Sequence, residues 1–212
     1  MTHQTDVTDI YLASRSPRRQ ELLRQIGVRF EPLAGRADIG DAIDIDESQL
    51  NGESAAAHVE RLADEKARNG IMLVARLGLP PHPVLAADTV VIVDGEILCK
   101  PADAAQARAF LQRLSGRAHE VRTAIALAVP TGAAPRVLRA VSVSTVTFRP
   151  LTVDEIDRYV ASGDPFDKAG GYGIQSQAGS FVEHLSGSHT GVMGLPLAET
   201  TLLLRAAGVA AA

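Results

Sequence analysis

The sequence predicts an α/β protein built on a mixed, twisted sheet with flanking helices. An apolar run from Val84 to Val93 has the length and composition of a buried strand, and Asp94-Gly95 after it is a preferred pair for a two-residue hairpin turn. Residues 120–129 and 137–148 predict a longer antiparallel hairpin with alternating faces. Segments with helical spacing lie between these strands, so both kinds of element contribute to the fold.

The first helix begins beside an unusual pair of cations. Ser16 is a suitable N-cap, Pro17 is a suitable first residue, and the apolar stripe of this helix ends at Gly27. Arg18 and Arg19 therefore lie in the first turn, where the helix dipole disfavours each cation by about 0.3–1 kcal/mol. A bound phosphate would reverse the sign of that interaction. The alternative is that both side chains extend into water.

The next helix and the buried strand each carry a charge on an apolar face. A helix is predicted for residues 54–69, ended by Gly70, and Lys66 falls on its apolar stripe. The ammonium either extends to water or serves as a phosphate ligand at the end of a partly buried stem. Asp88 interrupts the buried strand and must meet a cation, a metal or hydrogen-bond donors. It is a candidate site residue, with a structural ion pair as the alternative.

Two further helices are predicted from capping boxes, in which a short polar residue and a Gln or Glu three positions later satisfy backbone N–H groups. These patterns are Asp103-x-x-Gln106 and Thr152-x-x-Glu155. Lys100, just before the first of them, is predicted to end the strand that follows the hairpin turn.

The C-terminal third contains a glycine-rich segment between predicted regular elements. Three glycines crowd the stretch from Asp167 to Gln175, which indicates either a close approach of the backbone to another group or a flexible turn. A strand at residues 180–185, a Gly/Ser/His-rich loop and a helix opened by Gly194-Leu195-Pro196 complete the chain.

Length and composition predict one domain covering residues 1–212, with loosely held tails at about 1–8 and 208–212. Hydrophobic residues make up 46% and charged residues 22%, which is ordinary for a globular protein. No apolar run has the length of a membrane span, and the first residues do not resemble a secretory signal, so we expect a cytoplasmic protein without a membrane partner. Cys99 is the one cysteine, so no internal disulfide forms, and we expect it to be structural.

The charge distribution argues against a stable nucleic-acid partner. The net charge is −4 and aromatic residues make up 4%, whereas nucleic-acid binders need a basic face or stacking platforms. Residues 38–54 are acidic and contain no Lys or Arg. This segment is either a solvated connection or a source of one or two carboxylates that hold a divalent cation near the arginines.

Six segments, in order, resemble the Maf family of septum-formation-inhibitor-like nucleotide pyrophosphatases. The resemblance covers about residues 10–204 and implies two lobes around a central cleft, a fold similar to that of the inosine triphosphate pyrophosphatases, a homodimer, and a divalent cation, Mg²⁺ or else Mn²⁺ or Co²⁺. The segments are Ala13-Ser14-Arg15-Ser16-Pro17-Arg18-Arg19, Glu65-Lys66-Ala67, Ala87-Asp88-Thr89-Val90-Val91, Lys100-Pro101, Asp167-Lys168-Ala169-Gly170 through Gln175, and Gly194-Leu195-Pro196-Leu197.

The resemblance also implies an activity and roles for particular residues. Family members cleave a nucleoside triphosphate between its α and β phosphorus atoms, releasing the monophosphate and pyrophosphate, and so clean the nucleotide pool. Asp88 matches the general base and is a possible metal ligand, and Glu47 matches an acidic position near the metal. The positions that cradle the triphosphate are Ser14, Arg18, Arg19, Lys66 and Lys100.

Three positions associated with base selectivity in the family are Arg18, Thr89 and Gln175. They suit the branch that acts on dTTP, UTP and modified pyrimidine nucleotides, because a neutral amide offers both a donor and an acceptor to a pyrimidine edge. The sister branch acts on 7-methyl-GTP, whose cationic base suits a carboxylate and a Trp face, and this chain has no Trp. The alternatives are that sister activity and a non-catalytic, nucleotide-sensing regulator of septum formation.

Overall fold

The computed structural model describes residues 8–34, 45–132 and 134–211. Within them, seven strands form one mixed sheet in the order β2-β1-β3-β5-β6-β7, with β4 paired to β3. Strand β1 runs parallel to β2 and β3, and the other pairs are antiparallel. The strands are β1 (Ile10–Leu12), β2 (Phe30–Pro32), β3 (Val84–Val93), β4 (Glu96–Leu98), β5 (Ala118–Val129), β6 (Arg136–Phe148) and β7 (Val182–Ser186).

Helices flank this sheet, as predicted. They are α1 (Pro17–Gln25), α2 (Ala55–Arg76), α3 (Ala104–Leu114), α4 (Val153–Ala161), α5 (His189–Met193) and α6 (Leu197–Ala206), with short 3-10 turns at Asp164–Asp167, Ala169–Gly171 and Gln177–Phe181. No helix in the described ranges is long and apolar enough to cross a bilayer.

The predicted helix starts are confirmed at the level of single hydrogen bonds. Ser16 and Ser54 accept the backbone N–H three residues on, and so cap α1 and α2. Thr152 forms the complete reciprocal capping box at the start of α4. Asp103 caps α3, but the side chain of Gln106 accepts from the backbone of Ala102 rather than from the cap residue itself.

The prediction that the second helix ends at Gly70 is wrong, because α2 continues to Arg76. A Cβ atom on Gly70 would lie 2.7 Å from Val84 Cγ1, so the missing side chain lets the helix lie close against β3. The helix ends instead just before Gly78, whose φ of 63° suits a chain reversal.

Other differences concern short elements. Strand β4 ends at Leu98, so Lys100 does not end a strand as predicted. The predicted strand at 180–185 begins at Val182, because the residues before it form a 3-10 turn. The predicted Gly/Ser/His-rich loop contains α5, and β2 has no clear sequence signal. Elements of three to five residues depend on their tertiary neighbours more than on local preference.

Strand β3 presents alternate residues to two different hydrophobic layers. Val84 and Ala86 pack with α2, whereas Leu85 and Ala87 pack with α1 and α6 on the opposite face. This alternation follows from the two-residue period of a strand. By the same alternation, Asp88 lies on the face that packs against α2, and Thr89 lies on the face that packs against α1.

One edge of β3 is split, and the split positions the cleft. Strand β5 pairs with β3 continuously from residue 84 to residue 92. The other edge is shared, because β1 pairs at residues 84–85 and β4 pairs at residues 91–93. Residues 86–90 therefore have no strand partner on that edge among the described elements. The parts of the fold on either side form two lobes around a central cleft, so the predicted fold class is confirmed.

Candidate active site

A cavity of about 890 Å³ opens at the split edge of β3. Its walls come from the loop between β1 and α1, from α2, from β3 and β4, and from the glycine-rich segment between α4 and β7. The structure brings every predicted site residue to this cavity: Ser14, Arg18, Arg19, Glu47, Lys66, Asp88, Thr89, Lys100 and Gln175.

Arg19 is a partly buried cation whose hydrogen bonds run to neutral oxygens. Its Nε donates to Gly194 O at 2.8 Å, its Nη1 to Ser14 Oγ at 3.2 Å and its Nη2 to Thr89 Oγ1 at 3.3 Å. Burial lowers the pKa of Arg19, and the nearby charge of Asp88 only partly offsets this effect. A partly desolvated guanidinium that contacts no carboxylate of the described residues favours the approach of an anion.

The hydroxyl of Thr89 has hydrogen-bond partners within the protein, and it orients this guanidinium. The hydroxyl of Thr123 donates to Gly191 O at 2.8 Å, so it accepts from Thr89 Oγ1 at 2.9 Å. The proton of Thr89 is therefore committed, and its oxygen accepts from Arg19. The result is a chain of hydrogen bonds that ties α1 to β3 and β5.

Lys66 holds two carboxylates at the centre of the cavity. Its Nζ lies 2.7 Å from Asp88 Oδ1 and 2.5 Å from Glu47 Oε1. Burial by itself would raise the pKa of Glu47, but Lys66, with the charges of Lys100 and Arg19, lowers it below its usual range. Asp88 thus meets the cation that its place in a buried strand requires.

Arg18 is placed differently from its neighbour. Its Nη1 donates to Asp167 Oδ2 at 2.8 Å and its Nη2 to Asp167 O at 3.4 Å, which links α1 to the glycine-rich segment. Burial would raise the pKa of Asp167, but hydrogen bonds from Lys168 and Arg18 lower it. The charge of Arg18 is therefore already paired, whereas Arg19 forms no ion pair with any residue that the structure describes.

All three lysines of the chain line the cavity, although its other 18 basic residues are arginines. They are Lys66, Lys100 and Lys168. Sequence reasoning did not assign a role to Lys168, and this scarcity of lysine was the signal that could have found it. A lysine ammonium is a compact point charge, in contrast to the planar fork of arginine. Compact positive charges of this kind therefore lie at three places on the cavity wall.

The backbone of the glycine-rich segment lies close to neighbouring residues. Of the two interpretations of its sequence, a close approach and a flexible turn, the structure supports the close approach. A Cβ on Gly170, whose φ is 70°, would lie 2.9 Å from the side chain of Val91, and a Cβ on Gly173 would lie 2.8 Å from Lys168 Cε. Gln175, two residues further on, is exposed at the rim of the cavity.

The expectation that Cys99 is structural is wrong for its side chain, which is exposed and lines the cavity. Only its backbone has a structural part, because Cys99 O accepts the N–H of Gly170 at 3.1 Å. This bond fixes the glycine-rich segment against the residues that follow β4.

Part of the acidic segment lies outside the described residues, including Asp38, Asp41 and Asp44. In the part that is described, Glu53 accepts from Arg61 Nε at 2.7 Å and from Leu50 N at 3.1 Å, and hydrogen bonding lowers its pKa to about 2. Glu53 therefore anchors this segment to α2. Glu47 belongs to the same segment and contacts Lys66.

The described residues contain no group of three or more His, Cys, Asp or Glu side chains that could hold a metal ion by themselves. They do place Asp88 and Glu47 on the shared ammonium of Lys66, at 2.7 Å and 2.5 Å. Mg²⁺ commonly takes one or two carboxylates together with substrate phosphates and water. The donor set fits an ion that arrives with a polyphosphate.

Fold and site together define an α/β protein with a cation-lined cleft suited to a polyanion. Residues 9–207 match the family model described as Maf-like protein, and the chain belongs to that family.

Two relatives, from Chromobacterium violaceum and Aromatoleum aromaticum, are each 52% identical over 200 residues, covering 94% of this chain and 95% of theirs, and each is named dTTP/UTP pyrophosphatase. A solved structure, that of the Staphylococcus aureus Ham1 protein, aligns with a TM-score of 0.48 and 14% identity over 93% of this chain and 98% of its own.

Proposed function

We propose that this protein hydrolyses dTTP and UTP to the nucleoside monophosphate and pyrophosphate. The observation that carries the proposal is the placement of Arg19, a partly buried cation whose described partners are neutral, in the same cavity as the carboxylate of Asp88. A polyphosphate supplies the missing negative charge, and the carboxylate supplies a base next to it. Membership of the Maf family and the names of the relatives support the same activity.

In this proposal, different cations of the cavity bind different phosphates of the substrate. Arg19 and Ser14 lie at the N-terminus of α1, where N–H groups and the helix dipole also favour an anion. Lys100 is exposed at the opposite wall, with no hydrogen-bond partner among the described residues. We assign these groups to the phosphate oxygens and to the charge that develops on the leaving pyrophosphate.

Asp88 acts as the general base in this proposal. Lys66 holds its Oδ1, and no described residue donates to its Oδ2, which leaves that oxygen to accept a proton from water. The deprotonated water attacks the α phosphorus in line with the bond to the β-phosphate oxygen, which breaks. Lys66 also holds the carboxylate in position while the proton is transferred.

A divalent cation, Mg²⁺ or else Mn²⁺ or Co²⁺, would be held by Asp88 and Glu47 together with the phosphates. When bound, it supplies positive charge to the phosphate oxygens and lowers the pKa of a coordinated water. Glu47 is suited to this part because its pKa is lowered, so it is ionised at neutral pH.

Among the described residues that line the cavity, Gln175 is the one with an amide side chain. It is the candidate for recognition of the nucleotide base. Its carbonyl and NH₂ can match the N–H and carbonyl of uracil or thymine. Arg18 and Thr89, the other two selectivity positions, act in this proposal by orienting the cleft, because their polar groups already have protein partners.

The predicted homodimer and the absence of a nucleic-acid partner stand as proposals that sedimentation and gel-shift measurements test.

The test is turnover of dTTP, UTP, CTP, GTP and 7-methyl-GTP with Mg²⁺, with monophosphate and pyrophosphate measured separately. In water enriched in heavy oxygen, the label should appear in the monophosphate, because attack is at the α phosphorus. Asp88→Asn should reduce kcat by about 10²–10⁴-fold while an α,β-methylene analogue still binds.

Asp157→Asn is the matched control, because Asp157 forms a half-exposed ion pair with Arg108 away from the cavity. Near wild-type turnover by Asp88→Asn would remove the general base from this proposal. A preference for 7-methyl-GTP would transfer the activity to the sister branch. Binding without turnover of any triphosphate by the wild-type protein would favour the regulator.

A further inference from the structure

The carboxylate of Asp164 lies behind the wall of the cleft and contacts three side chains in or near the segment that carries Gln175. Asp164 Oδ2 accepts from the hydroxyl of Tyr159 and lies 2.6 Å from Ser176 Oγ, and its Oδ1 accepts from Lys168 Nζ at 2.9 Å. Asp164 and Ser176 do not line the main cavity. They line a second depression that shares Asp167 and Lys168 with the main cavity, and they act on the main cavity through these neighbours.

Both ends of the turn around Gln175 are attached to this carboxylate. On one side, the N–H of Gly173 donates to the Tyr159 hydroxyl at 3.2 Å. On the other side, Ser176 lies against Asp164 Oδ2, and its backbone N–H donates to Gly173 O at 3.0 Å. The backbone of Gln175 is thus fixed from both directions, while its side chain is exposed at the rim.

The same network continues to the other lobe. Lys168 Nζ donates to Asp164 O at 2.6 Å and to Asp167 Oδ1 at 2.6 Å, and Asp167 accepts from Arg18 on α1. Lys168 is about nine-tenths buried, and the backbone of Gly173 passes directly over its side chain. A continuous path of ion pairs and hydrogen bonds therefore joins the turn that carries Gln175 to the first turn of α1.

We propose that Asp164 and Ser176 are positioning residues for base selection, which hold the amide of Gln175 at a fixed distance from the phosphate-binding end of the cleft. This inference rests on the proposed function. A rim side chain without a partner discriminates bases only if its backbone is held still, because a displaced polar group loses its match with the base edge. Asp164 and Ser176 supply that rigidity from outside the main cavity.

The test compares Ser176→Ala and Asp164→Asn with the wild-type protein. We expect the ratio of kcat/KM for UTP to that for GTP to fall about ten-fold in each variant, mainly through a higher KM for UTP. Ser180→Ala is the control for Ser176, because the Ser180 hydroxyl donates locally to Gln177 O in the same segment. Asp157→Asn on α4 is the control for Asp164, and both controls should keep the wild-type ratio.

Calorimetric binding of α,β-methylene UTP and GTP forms the second arm, so that recognition is measured independently of turnover. Gln175→Glu should reduce the same selectivity and serves as the reference. An unchanged ratio in Ser176→Ala overturns the inference, as does a uniform loss with all triphosphates that follows the melting temperature. If the wild-type protein binds but hydrolyses neither nucleotide, the proposed function fails, whereas loss of binding selectivity in the variants still supports the positioning role.

Discussion

Replacing Arg19 with Met tests whether this partly buried guanidinium serves a ligand or the fold. In the free protein it donates to three neutral oxygens, and burial lowers its pKa below the usual range of a guanidinium. A lowered pKa means that folding disfavours the charged form, so removing the charge relieves a cost. Met retains an apolar stem of similar length for packing.

The expected magnitudes differ between the free and the bound protein. In the free protein, water in the open cleft can satisfy Ser14 Oγ and the other acceptors, so the free energy of unfolding should change by no more than about 1 kcal/mol. In the complex, a hydrogen bond between a cation and phosphate is worth about 1.5–3 kcal/mol. Its loss corresponds to a decrease of about 10- to 150-fold in kcat/KM for dTTP.

The assay combines steady-state kinetics with thermal unfolding, with and without α,β-methylene dTTP. Arg24→Met is the matched control, because Arg24 lies on the same helix, is mostly exposed and faces Glu21 Oε2 at 3.6 Å. The control should keep both kcat/KM and the shift in Tm caused by the analogue. A variant Arg19→Met that loses several degrees in Tm and keeps kcat/KM within two-fold would place this guanidinium in the scaffold and refute the reasoning.

Two further predictions concern the fold. Burial lowers the pKa of His119 to about 4 from its usual 6.5. As the pH falls, the imidazole is therefore protonated in the unfolded chain at a higher pH than in the folded protein. Stability should therefore fall by up to about 3 kcal/mol as the pH drops from about 6.5 to 4, and thermal unfolding of His119→Gln should show a flatter dependence there; an equal slope would contradict this. Gly70→Ala places a Cβ 2.7 Å from Val84 Cγ1, so overpacking of about 1–3 kcal/mol should exceed a helix gain of about 1 kcal/mol. Urea unfolding of the double variant with Val84→Ala should give a less than additive loss, and an additive loss would argue against the contact.

The helix starts and the hairpin turn follow from the sequence because their determining contacts are local. Ser54 caps α2 through an N–H three residues away, and Asp94-Gly95 adopts the positive φ values that this turn requires. The buried charges could also be recognised, because a charge on an apolar face must find a partner. By this argument both Asp88 and Lys66 need partners, and in the structure they contact each other.

Tertiary structure decided how these pieces meet. Gly70 allows a close approach of α2 to Val84 instead of ending the helix, and the partner of Arg18 lies 149 residues away at Asp167. The network of Asp164 beneath Gln175 has no periodic signal, because its members come from α4 and from irregular backbone. Such contacts depend on where distant segments lie in space. The sequence alone therefore determined which residues needed partners, whereas the split edge of β3 decided which partners they met.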